Sequence, residues 1–241
     1  MTTPIPHDFA FPTHMALFLD FDGTLAGFKD DPDLVHLSLV QKKLLIALRD
    51  KLDGALTLIS GRDLRDLSKR VPQSLWRLGN HGLFKAAPNE PAPDKVDEFP
   101  AELLNRIEAS LSKIVGTRIE RKGPVIAIHH RSNPSAGTQI IEAISVQLSH
   151  GGGHLVQSGH CVVEVKPRGA NKGKALVAQM QHASFQGRTP VMIGDDTTDE
   201  DGFIACRKLG GFGIKIGDGL TEAAYRIGDI PTLYTYLERL I

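Results

Sequence analysis

The chain has 241 residues, 41% hydrophobic and 23% charged, enough for a substantial core and ordinary for a folded protein. Lys and Arg total 28, as do Asp and Glu, so no charge excess points to nucleic acid or to an anionic membrane. Cys161 and Cys206 lack metal-ligand spacing and are too few for a disulfide framework, residues 1–14 carry no secretory signal, and no apolar run reaches a membrane span; a cytoplasmic protein is expected.

The apolar run Met15–Leu19 leads directly into Asp20-Phe21-Asp22-Gly23-Thr24-Leu25. Such a run before a glycine turn reads as a strand buried on both faces. Residues 32–50 place leucines and a valine at helical spacing. Ala55–Ile59 is a second strand ending at Ser60-Gly61-Arg62, ahead of another helical pattern, and Trp76–Leu78 a third leading to Gly79-Asn80-His81-Gly82. Pro190–Gly194 stops at Asp195-Asp196, and Gly213–Ile216 is a fifth run. Strands alternating with helices predict a doubly wound, Rossmannoid α/β core with a parallel sheet. The polar motifs follow strand ends, where open α/β sheets gather their ligands.

The middle of the chain has a different rhythm. Phe84–Pro100 is proline-rich and reads as a flap or linker, then come a helix over 101–115 and a hairpin over 117–131 turning at Lys122-Gly123-Pro124. A second helix over 134–150 breaks at Gly151-Gly152-Gly153, and strands over 154–157 and 161–166 follow. This αββαββ pattern predicts an inserted α+β cap at 101–166, with 1–100 and 167–241 forming the core. Alternation puts Ile119, Ile126, Ile128, Cys161, Val163 and Val165 on the face toward the helices. It puts Arg118, Glu120, Lys122, His129, Arg131, Glu164 and Lys166 on the other. Taken alone that face is a solvated one; its carboxylates and guanidinium also suit sugar hydroxyls.

Two carboxylates two residues apart at a buried strand end are unfavourable unless a cation or a reaction needs them. Asp20 is the candidate nucleophile and Asp22 the candidate proton donor and acceptor. Gly23 allows a tight turn, with Thr24 nearby as a donor to phosphate. Ser60 followed by Gly61 offers a phosphate contact, although a lone serine there also reads as a helix cap. Lys172, ahead of a helix over 174–181, has the charge to neutralise carboxylate and phosphate. Asp195 with Asp20 and the Asp22 carbonyl would supply hard oxygens for Mg²⁺. Asp199 would hold Lys172 or a metal-bound water, supported by Asp196. The scattered histidines have no zinc spacing, and Lys172-Gly173-Lys174 follows no Walker-type loop.

Asp20-Phe21-Asp22-Gly23-Thr24, Ser60-Gly61-Arg62, Lys172 and Gly194-Asp195-Asp196 resemble the four motifs of the haloacid-dehalogenase-like phosphohydrolases. Gly79–Gly82, Glu120–Gly123, His129-His130-Arg131 and Gly159–Gly169 resemble, more narrowly, the trehalose-6-phosphate phosphatases. The resemblance runs from about Leu17 to Leu237. It departs at His130 and His160, where that family commonly has Tyr and Lys. It implies a Mg²⁺-dependent hydrolysis of trehalose 6-phosphate by an aspartyl-phosphate route. Asp20, Asp22 and Lys172 would be catalytic, Asp20, Asp22 and Asp195 metal-holding, and Thr24, Ser60, Gly61 and Lys172 phosphate-holding. Glu120, Lys122, His129, Arg131 and Glu164 would read the sugar as the cap closes over the core. The expected protein is a monomer acting on a small molecule, with no nucleic-acid or membrane partner. Rival readings are a phosphatase for sucrose phosphate or mannosylphosphoglycerate, a phosphomutase, and a non-catalytic carbohydrate-binding module.

Overall fold

A computed structural model describes residues 2–29, 31–149, 153–159 and 161–241. The chain divides into two compact units, one of Met1–Pro93 with Asn171–Ile241 and one of Asp94–Ala170. The second unit is thus wider than the expected 101–166 at both ends. Phe99 explains one end: it is buried in that unit's apolar cluster and its N–H donates to Gly123 O at 2.9 Å. Arg168 explains the other, its N–H donating to Gly153 O at 3.1 Å.

The first unit is built on an eight-stranded sheet. Its strands are β1 (Thr3–Pro4), β2 (Met15–Leu19), β3 (Leu56–Ile59), β4 (Trp76–Gly79), β5 (Phe84–Ala86), and then β10 (Thr189–Gly194), β11 (Phe212–Ile216) and β12 (Tyr225–Ile227) after the second unit's four. The spatial order is β1-β12-β11-β10-β2-β3-β4-β5, and every pairing is parallel except β4 with β5. Its helices are α1 (Leu39–Lys51), α2 (Leu64–Arg70), α5 (Lys172–Gln179), α6 (Thr197–Lys208) and α7 (Ile230–Glu238). After β2 the chain winds outward through β3 and β4, then returns to β10 on the other side of β2. The order reverses between β2 and β10, and a crevice opens at such a point beyond the strands' carboxyl ends. All five residues of β2 and all four of β3 are buried, as continuous apolar strands of a covered parallel sheet must be. One core joins them to Val191, Met192, Ile193, Phe185 and Phe203. Arg77 is fully buried on β4 and its guanidinium serves Ser68, Gln73 and the carbonyls of Leu75, Ala87 and Glu90.

Several expected bounds move, each for a local reason. The helix expected from Pro32 begins only at Leu39, because Ser38 and Gln41 form a reciprocal capping box there. Pro32–Leu34 is a separate 3₁₀ turn, and Leu34 is exposed. The expected linker contains β5, which pairs with β4. The helix expected over 174–181 starts at Lys172 because Asn171 caps it, accepting from Lys174 N–H. Among the described residues, no helix is long and apolar enough to cross a membrane.

The second unit carries α3 (Ala101–Leu111), β6 (Arg118–Lys122), β7 (Val125–His129), α4 (Gly137–Leu148), β8 (His154–Gly159) and β9 (Val162–Pro167). Its sheet is antiparallel in the order β6-β7-β9-β8. Ile126, Ile128, Val163 and Val165 form one buried cluster with Leu104, Ile107, Ile140 and Ile144 of the helices, and Ile119 packs on it. Cys161, expected on that face, instead occupies a left-handed turn before β9 with φ of 54°. The strand expected to reach Arg131 ends at His129, so Arg131 lies in an exposed turn and alternation does not assign it a face. His160 and part of the expected break at 151–153 fall outside the described residues.

Candidate active site

Asp20 follows β2 and Asp195 follows β10, so the sheet places both at the switch point. Asp20 N–H donates to Ile193 O at 3.0 Å, continuing the pairing of the two strands. Lys172, the first residue of α5, is buried, and its Nζ lies 2.7 Å from Asp20 Oδ1 and 2.6 Å from Asp199 Oδ1. Asp199, fully buried in the first turn of α6, uses its other oxygen to accept from the N–H groups of Asp195 at 3.1 Å and Asp196 at 3.0 Å. Asp196 caps α6, completing a reciprocal box with Asp199.

Thr24, expected to donate to phosphate, is fully buried and donates from Oγ1 to Asp195 Oδ1 at 3.1 Å. Its hydroxyl orients a carboxylate rather than facing a ligand. Lys215 Nζ donates to the Asp195 carbonyl. Asp195 is therefore held at its N–H, its carbonyl and its side chain. Gly23 has φ of +81°, and a Cβ there would overlap the Asp195 carboxylate, so both backbone freedom and space require glycine.

Ser60, after β3, accepts at Oγ from Arg62 N–H at 3.1 Å, leaving its hydroxyl proton for another partner. It does not cap α2: Asp63 does, accepting from Arg65 N–H at 2.8 Å. A Cβ on Gly61 would press on the ring of His81, which is buried with φ of 57° beside Asn80 at 51°. Two consecutive non-glycine residues in this region mark strain of the kind stored at functional sites. The Asp22 carboxylate does not join Asp20. Arg62 holds it through Nε to Oδ2 and Nη2 to Oδ1, both at 2.7 Å.

Charge is unbalanced at the switch point. Asp20, Asp195 and Asp199 each bring a carboxylate oxygen within 4.8 Å of the others. Against these three carboxylates stand the Lys172 ammonium and, at the Asp195 carbonyl, that of Lys215. Burial pushes the Asp20 carboxyl well up, Lys172 offsets this in part, and Asp199 and Asp195 push it further. Burial and then Asp199 raise Asp195 to about 7. Burial alone would lower Lys172, but Asp199 and Asp20 outweigh it and raise it. Carboxylate donors without His or Cys, short of positive charge, fit a hard divalent cation. Lys172 and two backbone N–H groups engage both oxygens of Asp199, whereas Lys172 takes only Oδ1 of Asp20 and Thr24 only Oδ1 of Asp195, so those two carboxylates could still offer such a cation an oxygen.

In the second unit, Glu120, His129 and Glu164 share one sheet face with Lys122, by register: Glu120 pairs with Ala127 and Ala127 with Glu164. Glu120 Oε2 is 2.7 Å from His129 Nε2, and Lys122 Nζ is 3.6 Å from Glu164 Oε1. Burial would raise Glu120, but the His129 hydrogen bond and the Lys122 charge outweigh it and hold it down.

A family model described as trehalose-phosphatase matches residues 18–223, which spans both halves of the first unit's site and the whole second unit. The chain belongs to the trehalose-phosphatase family. A member from Escherichia coli K12, named trehalose-6-phosphate phosphatase, is 36% identical over all of this chain and 91% of its own. Another from Sinorhizobium fredii, named probable trehalose-phosphate phosphatase, is 34% identical over 90% of this chain and 83% of its own. The solved C-terminal domain of Candida albicans trehalose-6-phosphate phosphatase superposes with a TM-score of 0.80 at 22% identity, covering 95% of this chain and 92% of that one. A haloacid dehalogenase-like hydrolase from Bacteroides thetaiotaomicron shares the fold, with a TM-score of 0.66 at 15% identity over 95% of this chain and all of that one. This trehalose-phosphatase family chain is an enzyme with the haloacid-dehalogenase-like α/β fold.

Sequence reasoning left Arg62, Lys215 and the strained Asn80-His81 pair outside the site. Arg62 was within a recognised motif, and Lys215 was a lysine inside an otherwise apolar strand, which is itself a signal.

Proposed function

We propose that the enzyme hydrolyses trehalose 6-phosphate to trehalose and phosphate through an aspartyl phosphate on Asp20, with Mg²⁺ as cofactor. The observation that carries this reading is the Asp20 carboxylate at a parallel-strand end, 2.7 Å from buried Lys172 and clustered with Asp195. The names of the 36% and 34% identical relatives support the substrate. Mg²⁺ held by Asp20, Asp195 and the Asp22 carbonyl would offset charge on the phosphoryl oxygens.

Asp20 attacks phosphorus as the bond to the sugar oxygen breaks, and Asp22 gives that oxygen a proton. Asp22 then takes a proton from water, which attacks the phosphoryl group and frees Asp20 with release of phosphate. Lys172, Ser60 and the Gly61 backbone hold the phosphoryl oxygens during both displacements. Phosphate monoesters are among the slowest substrates to hydrolyse unaided, so dense fixed charge is the expected means of catalysis. Glu120, Lys122, His129, Arg131 and Glu164 read the disaccharide hydroxyls.

Phosphate release from trehalose 6-phosphate, sucrose phosphate, mannosylphosphoglycerate and simple hexose phosphates, with and without EDTA, tests this. The expected result is preference for trehalose 6-phosphate, abolished by EDTA and restored by Mg²⁺. Preference for another sugar phosphate overturns the substrate, and full activity in EDTA overturns the cofactor.

A further inference from the structure

We propose that Arg62 is a positioning residue for Asp22, fixing the acid/base carboxylate from outside its own turn. This rests on the acid/base role given to Asp22 above. The Arg62 side chain is only 10% exposed, and its Nε and Nη2 grip both Asp22 oxygens side-on. The fork takes one lone pair on each oxygen and leaves the other, and Asp22 remains 27% exposed. The carboxylate is thus held in one orientation and keeps capacity for a proton. Without the fork, a side chain beside Gly23 has rotamers to lose before each turnover.

Arg62 is itself anchored independently of Asp22. Its Nη1 donates to Asp66 Oδ2 at 2.8 Å, Nη2 also donates to Pro32 O at 3.2 Å, and the Phe21 ring centroid lies 5.4 Å from Cζ. Asp66 is held in turn by Arg70, through Nε at 2.9 Å and Nη2 at 2.6 Å, and Arg70 donates to Val35 O at 2.8 Å. The orientation of Asp22 is therefore referred back to α2 and the segment before α1. The Arg62 backbone adds a second link, because its N–H donates to Ser60 Oγ and its carbonyl accepts from Asn80 N–H at 2.7 Å. One residue sets both the proposed proton-transfer group and a proposed phosphate contact. A lysine has no planar fork to repeat the side-on grip.

The test is a double-mutant cycle of Arg62→Lys and Asp22→Asn, read on trehalose 6-phosphate and p-nitrophenyl phosphate with melting curves for each variant. Arg62→Lys is expected to lower kcat on trehalose 6-phosphate roughly ten- to a hundredfold with KM little changed, the size expected for misplacing a reacting group. The loss is smaller on p-nitrophenyl phosphate, whose leaving group needs no proton. In the Asp22→Asn background the same change adds no further loss. Asp66→Asn, which loosens the anchor without touching Asp22, gives an intermediate loss in kcat and covers the case in which Arg62→Lys folds poorly. Equal losses from Arg62→Lys in both backgrounds, or a rise in KM alone, overturn the inference and assign Arg62 to direct substrate contact. Asp22→Asn protein with full turnover on trehalose 6-phosphate overturns the acid/base reading itself, visible in that single variant.

Discussion

Lys172 and Asp20 are 152 positions apart in the chain and 2.7 Å apart in the fold. The same ammonium reaches Asp199 at 2.6 Å, so one buried cation ties the strand end that carries Asp20, the proposed nucleophile, to the helix that follows Asp195. Removing Asp20 leaves Lys172 one carboxylate partner.

Asp20→Asn should therefore abolish turnover and keep the fold. The amide is a poor nucleophile and a poor ligand for a hard cation, while Asp199 still neutralises Lys172. Phosphate release and a melting curve check this together. Persistent turnover in pure Asp20→Asn protein would remove the covalent route.

Gly23→Ala should be nearly as damaging, although it changes no reacting group. The added methyl meets the Asp195 carboxylate and the positive φ strains any other residue. The expected outcome is loss of Mg²⁺-induced thermal stabilisation as well as activity. An alanine variant that still gains stability from Mg²⁺ would mean Asp195 has room to move aside.

The pH dependence of the metal-free protein follows from Asp195, raised from 3.8 to about 7. A carboxyl more readily protonated in the folded state contributes most stability below the unfolded value near 4, and that contribution is lost as pH rises toward 7. In EDTA, Asp195→Asn should melt above the parent at pH 8 and match it more nearly at pH 4. Added Mg²⁺ should stabilise the parent at pH 8 and leave the variant unmoved. A variant that melts lower at pH 8 in EDTA would show that Asp195 is not repelled in the empty fold.

Glu164→Ala should weaken action on trehalose 6-phosphate roughly ten- to a hundredfold more than on p-nitrophenyl phosphate, because a lost charge-assisted hydrogen bond is worth about 1.5–3 kcal/mol. The small ester leaves the sugar contacts unused. Val163→Ala, on the opposite sheet face and fully buried, should instead cost about 2 kcal/mol of stability and affect both substrates alike. Equal losses on both substrates for Glu164→Ala would remove that residue from sugar recognition.

Much of this was legible from residue order. Buried parallel strands announce themselves as largely apolar runs, interrupted only by Thr57 inside β3 and Lys215 inside β11, so β2, β3, β10 and β11 and the motifs that follow them were readable in sequence. Short strands are not: Thr3–Pro4 and Phe84–Ala86 are strands only because β12 and β4 offer them partners. Side-chain partners were hidden further. Nothing in the spacing of Arg62 and Asp22, 40 residues apart, indicates a bidentate pair. Nor does the sequence around Arg77 indicate an arginine buried among carbonyls. The Thr24 hydroxyl was assigned to an anion by motif, and packing gave it to Asp195 instead.

The margins of the two sheets bear on how the protein behaves at high concentration. The large sheet ends in β1, two residues long, and in β5, three residues long and reversed in direction. The small sheet exposes β6, where Arg118, Glu120, Arg121 and Lys122 crowd one five-residue strand. Brief or heavily charged borders are poor templates for a neighbour's strand. The other margin of the small sheet, β8 (His154–Gly159), is six residues long and carries Leu155 and Val156 with no acidic or Lys/Arg side chain. Any growth by β-addition under crowding is therefore expected there first, and at β6 only if its charges are replaced by β-branched apolar residues.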